Sequence, residues 1–146
     1  MTADAMWAAF AKTRGLNETR YEAWAFGGAP DRLAGLVMQG IKTATSTACA
    51  MFDCGAEPEP QVGDYSVILD SRGEAVCILQ TTHLTRCRFD EVTPEHAFRE
   101  GEDDRSLDSW REVHEAYFTE CLRGLGLPFS PAIPVLCEEF IRVFPE

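Results

Sequence analysis

Two apolar runs joined by a tight turn constrain this chain more than any other feature. Tyr65-Ser66-Val67-Ile68-Leu69 is followed by Asp70-Ser71-Arg72-Gly73 and then by Ala75 to Leu84, the longest β-compatible run present. A link this short leaves no room for a crossover, so the two strands must pair antiparallel. The second strand carries Val76, Ile78 and Gln80 on one face and can continue through Arg86 to Phe89. Helical patterns flank the hairpin. Met6, Trp7 and Phe10 recur at helical spacing before a stop at Gly15, and a turn through Asn17 follows. Pro30 and Asp31 open a helix whose apolar face is Leu33, Leu36 and Val37, and Gly40 ends it. Thr93 caps a short helix with Pro94 at its first position and Gly101 at its end. Asp104 or Ser106 caps a longer one, with Leu107, Trp110, Val113, His114, Tyr117 and Cys121 on one face.

The remaining segments fill in a sheet. Thr45 to Phe52 reads as the start of a strand, and Val135 to Phe144 as a closing one. Between them, Glu57-Pro58-Glu59-Pro60 is a loop, because alternating prolines remove backbone donors. Helices interleaved with antiparallel strands predict the α+β class: a small, curved antiparallel β-barrel or sheet flanked by helices. A chain of 146 residues is long enough for one domain with a real core. No apolar run is of membrane-spanning length and no basic region precedes an apolar block, so a cytoplasmic location is expected. The six cysteines lack zinc-type pairing; Cys77, Cys121 and Cys137 sit in apolar periodic segments and read as structural thiols.

Charge narrows the choice of partner. The net charge is −11. Gripping a long polyanion requires many Lys and Arg side chains to release counterions. This balance therefore favours a nucleoside-sized ligand over a long nucleic acid.

One stretch stands out chemically: Gly40-Ile41-Lys42-Thr43-Ala44-Thr45-Ser46-Thr47 places one of only two lysines ahead of four hydroxyl residues. Small neighbours leave the ammonium unobstructed for a polar ligand. The alternative is a helix C-cap, with Gly40 left-handed and Lys42 on the last carbonyls. Trp24 and Phe26, beside Gly27-Gly28, either wall a pocket onto which a base stacks or belong to the core. Tyr65 and Trp110 have the same two readings. Ser106 is a helix N-cap or a ligand contact, and Arg105 pairs with the neighbouring acids or supplies a cation. The run Glu102-Asp103-Asp104 with His96 lacks metal-loop spacing, so no metal is expected. His83 and His114 read as structural.

Gly40-Ile41-Lys42-Thr43-Ala44-Thr45 is similar to the Gly-x-Lys-x-x-Thr-x-Arg signature of ASCH domains, small β-barrel proteins related to the RNA-binding PUA fold. Trp24-Ala25-Phe26-Gly27, Val62-Gly63-Asp64-Tyr65 and Asp104-Arg105-Ser106-Leu107 with Trp110 agree in order. The resemblance covers about Tyr21 to Phe144, leaving residues 1–20 as an added helical extension and 21–146 as the ASCH domain. It implies a cleft for single-stranded RNA or a nucleoside. One branch, the N4-acetylcytidine amidohydrolases, removes an acetyl group with a lysine, a threonine and a glutamate; other members are ribonucleases. Carried over, these fall on Lys42, on Thr45 and, through His96-Ala97-Phe98-Arg99-Glu100, on Glu100. No cofactor is implied, and both monomer and homodimer remain open. The signature arginine is Thr47 here, so a cationic ligand contact or a structural ion pair of the family is missing.

Amide hydrolysis needs a nucleophile, a proton carrier and a stabilised oxyanion. Either Thr45 attacks while Lys42 serves as base or oxyanion partner and Glu100 holds it or shuttles the proton, or Glu100 activates a water. The remaining alternatives are a surface Lys42–Glu100 ion pair, a plain RNA-binding module and a non-catalytic interaction domain.

Overall fold

The computed structural model describes residues 1–16 and 20–146; the turn expected at Asn17 lies outside them. The elements are α1 (Ala3–Arg14), β1 (Tyr21–Trp24), α2 (Pro30–Met38), β2 (Ala44–Ala48), α3 (Ala50–Asp53), β3 (Tyr65–Leu69), β4 (Ala75–Arg88), a 3-10 turn (Phe89–Glu91), α4 (Pro94–Glu100), α5 (Leu107–Arg123) and β5 (Pro134–Phe144).

The hairpin forms as its sequence requires: β3 and β4 pair antiparallel, with Val67 opposite Ile78. The turn is held by Asp70, whose carboxylate accepts from the backbone N–H groups of Arg72 and Glu74 at 2.8 and 3.0 Å. Alternation along the strands sends neighbouring side chains to opposite faces. Val67 and Ile78 meet Met6 and Phe10 of α1 on one face, whereas Ile68, Cys77 and Leu79 meet Leu33, Ala34 and Val37 of α2 on the other. A third core joins β2 and β5 to α4 and α5 through Ala48, Val135, Ala97, Trp110, Phe118 and Leu122.

Strand order is β1-β3-β4-β5-β2. Two expectations are corrected here. The sheet is mixed, because β1 runs parallel to β3; the long excursion through α2 and β2 gives the chain room to return in the same direction. It is also open: β1 and β2 are its two edges, and among the described residues no ladder joins them into a barrel. The strand expected from Thr45 to Phe52 stops at Ala48, since Cys49 adopts helical backbone angles, its N–H bonding the Pro134 carbonyl at 3.0 Å, and α3 follows. On α5 the buried face is Trp110, His114, Phe118 and Leu122, which leaves Val113 and Tyr117 partly exposed. Among the described residues, no helix is long and apolar enough to cross a membrane.

Candidate functional site

The site begins with two left-handed glycines. Gly40, at φ 78°, turns the chain out of α2 so that the N–H groups of Ile41 and Lys42 both reach the Leu36 carbonyl. Gly101, at φ 74°, ends α4 against the same segment; a Cβ there would lie 2.7 Å from the Ile41 carbonyl oxygen. Both positions favour glycine, the second through contact as well as torsion. Together they bring the end of α4 over the start of β2.

Lys42 and Glu100 meet at this junction, each only 1% exposed. Lys42 Nζ donates to Glu100 Oε1 at 3.3 Å, to the Glu100 carbonyl at 3.3 Å and to Glu102 Oε2 at 3.0 Å. It also lies 5.2 Å from the centre of the Phe26 ring. The second carboxylate oxygen of Glu100 accepts from Trp110 Nε1 at 2.6 Å, from His96 Nε2 at 2.9 Å and from the Ser46 hydroxyl. Ser46 Oγ and His96 Nε2 are themselves 2.8 Å apart. Burial alone would raise the Glu100 pKa, but Lys42 and the hydrogen bonds from His114 and His96 hold it well below the usual carboxylate range.

His114 completes the cluster. Its ring stacks on Trp110 at 4.3 Å between centroids, Nδ1 lies 2.9 Å from the Trp110 carbonyl, and Nε2 lies 3.4 Å from Glu100 Oε1. A carbonyl on one nitrogen and a carboxylate on the other suit the doubly protonated ring. Burial pushes the His114 pKa down, but the Glu100 hydrogen bond and charge, with Glu102 behind them, raise it overall. Glu100, Glu102 and His114 also offer three ligand atoms within 4.8 Å of one another. The Lys42 ammonium already supplies positive charge between the two carboxylates, so a metal ion there would have to displace it.

A cleft of about 910 Å³ opens beside this cluster, and Lys42, Thr45, Ser46, Glu100, Glu102 and His114 all contribute to its lining. Trp24 and Phe26 form one wall, packed edge-to-face at 5.0 Å. Tyr117 forms another; its hydroxyl would collide with a Cβ at residue 27, so Gly27 leaves the room for it. Lys42, Thr45, Glu100, Trp24 and Phe26 thus all line the one cleft.

The other candidates are placed elsewhere. Tyr65 packs against Trp7 and Phe10 under α1, each at 5.4 Å, outside the lining of the cleft. Arg105 stacks on Phe98 at 3.6 Å and donates to the carbonyls of Phe98 and Ile41, so its charge is spent locking the loop before α5. Ser106 is the N-cap of α5, its hydroxyl accepting from Ser109 N–H at 3.1 Å. Trp110 is buried against Glu100 and does not wall the cleft. The acidic run is dispersed: Glu102 binds Lys42, Asp103 pairs with Arg32, and Asp104 accepts from Ser106 N–H. His114, read from sequence as structural, belongs to the cluster. Ser46 and His96 also belong to it; the only local signals were the i,i+4 spacing of His96 and Glu100 and the hydroxyl-rich run.

Fold and cluster together define an α+β domain with a buried Lys–Glu pair at the head of an edge strand. The ASCH domain family model matches residues 22–144, and the chain belongs to that family. It is similar in structure to an ASCH domain from Lactobacillus crispatus JV V101, with a TM-score of 0.88 and 24% identity over 96% of this chain and 92% of the other. Protein EF3133 from Enterococcus faecalis V583 superposes with a TM-score of 0.88 at 30% identity, covering 96% of this chain and 86% of that one. No curated protein matches the chain.

Proposed function

We propose that this ASCH domain binds a nucleoside in the cleft beside Lys42 and hydrolyses an N4-acyl group from cytidine or a related modified nucleoside. The observation that carries the reading is the buried contact of 3.3 Å between Lys42 Nζ and Glu100 Oε1, opening on the cleft that Thr45 also lines. In this scheme Trp24 and Phe26 present aromatic surface to the base. Thr45 attacks the acyl carbon, and the oxyanion that develops is stabilised by the fixed charge of Lys42. Glu102, the more exposed of the two carboxylates, yields its place on Lys42 to that oxyanion. Glu100 holds Lys42 and is not the base that activates water, because five groups already point at its two oxygens and keep it anionic.

The lining favours a small ligand over a strand. Among the described residues, seven Asp or Glu side chains and three Lys or Arg side chains line the cleft. A chain of phosphates meets net repulsion there, whereas an uncharged nucleoside does not. Incubation with N4-acetylcytidine is expected to release cytidine and acetate, and Thr45→Val to stop release while leaving binding in place. Absence of turnover across a panel of N4-acyl cytosines removes the reading. Salt-dependent capture of short single-stranded RNA without turnover would make the domain an RNA reader.

A further inference from the structure

The scheme above has no proton carrier. Lys42 donates to three acceptors, and Glu100 accepts from Ser46, His96 and Trp110 while facing Lys42 and His114. Neither is free to take the Thr45 hydroxyl proton. A third carboxyl group is.

Glu138 stands directly opposite Thr45 in the β2–β5 ladder. Directly paired residues of antiparallel strands project from the same face with Cβ atoms about 5 Å apart. Both side chains line the cleft. Glu138 Oε2 accepts from Thr81 Oγ1 at 2.6 Å, which fixes the carboxyl group, while Oε1 has no hydrogen-bond partner among the described residues. We propose that Glu138 is the general base and acid that serves Thr45.

This inference rests on the deacylase reading and supplies the step it lacks. Glu138 takes the Thr45 hydroxyl proton as the oxygen forms its bond to the acyl carbon and the carbonyl π pair moves onto oxygen. When the carbonyl re-forms, the C–N bond breaks and the departing amine leaves with the proton held by Glu138. Water then attacks the threonine ester, giving its proton to Glu138. Collapse expels the threonine oxygen, which recovers that proton. The products are the free amine and the carboxylic acid, and both residues return to their starting states.

The surroundings suit a carrier. Burial raises the Glu138 pKa, the Thr81 hydrogen bond lowers it by less, and Asp64 adds to the rise. The groups facing Glu138 are thus Thr45 from β2, Thr81 from β4 and Asp64 from the turn before β3. A carboxyl group lifted toward neutrality exchanges protons more readily than one held far below it.

The test uses the whole chain and an activated acetyl ester, p-nitrophenyl acetate, with peptide mass mapping of Thr45. Wild type is expected to acetylate Thr45. Glu138→Gln, which keeps the shape of the side chain and an acceptor for Thr81, is expected to slow this about a hundredfold or more, and Glu138→Asp to restore part of the loss. Thr81→Val, which leaves the carboxyl in place, is expected to move the acidic limb of the acetylation rate to higher pH, and that limb is expected to vanish in Glu138→Gln. Acetylation of Thr45 at the wild-type rate in Glu138→Gln, an unmoved limb in Thr81→Val, or no acetylation of Thr45 in wild type would overturn the assignment. Glu138-dependent acetylation of Thr45 without turnover of any acylcytidine would uphold the assignment and discard only the substrate reading.

Discussion

A buried lysine is stable only when its charge is met, and the residues meeting Lys42 come from far along the chain. Glu100 is tied down by Ser46, His96, Trp110 and His114 as well, so the polar groups of this pocket support one another. His114 makes that support depend on pH. Its folded-state pKa is raised above the ordinary 6.5, so its contribution to stability is complete below that value and is lost as pH rises through the raised one. Glu100 has the opposite sign: its contribution is present above the ordinary 4.5 and is lost as pH falls toward its lowered value. The gap in melting temperature between wild type and His114→Gln is therefore expected to be larger at about pH 5.5 than at about pH 9; a constant gap would mean that folding leaves the pKa of the ring unshifted, and a smaller gap at about pH 5.5 that the ring is held neutral in the folded protein. Lys42, Thr45 and Glu100 were legible because short motifs bordered by glycine carried them. His114 and Glu138 were not, since nothing local tells that one helix position faces a carboxylate, or that Glu138 will sit opposite Thr45.

At the scale of elements, the glycine punctuation and the helix caps did most to make the fold readable. Gly15, Gly40 and Gly101 end or follow their helices with positive φ, and Thr93 and Ser106 cap theirs through their side-chain oxygens. The hairpin was fixed by the shortness of its turn. The parallel pairing of β1 with β3 was hidden, because a four-residue strand has too little pattern to reveal its direction, and an edge strand takes its partner from the rest of the fold. The early end of β2 was hidden too, for Ala50 to Phe52 suits helix and strand alike and the Pro134 carbonyl decides the matter. Gly101 carries the most weight among these joints. Gly101→Ala forces a methyl group against the Ile41 carbonyl in a left-handed residue, which is expected to cost more than about 1 kcal/mol. A matching loss of acyl-nucleoside hydrolysis is expected, since the same joint aligns Lys42 with Glu100. Denaturant unfolding and initial rates measure the two effects; an unchanged midpoint would show that α4 does not need the turn.

For the molecule as a whole, the two edge strands and α5 leave an open-sided cleft in an acidic protein. Its net charge of −11 and its carboxylate-rich lining act in the same direction, against a long polyanion. Retention of a fluorescent single-stranded RNA is accordingly expected to be negligible near physiological salt. A strong interaction with a steep salt dependence would contradict this and favour the reader. The exchange of the signature arginine for Thr47, visible from the sequence, leaves a neutral side chain among the residues that line the cleft. The most direct test of the catalytic reading is kcat/KM for N4-acetylcytidine hydrolysis, wild type against Lys42→Ala. Measurable turnover is expected from wild type, with a loss of about 10²–10³-fold in the variant. Equal rates in the two proteins, or a wild type that leaves N4-acetylcytidine and its N4-acyl analogues intact, would contradict that reading.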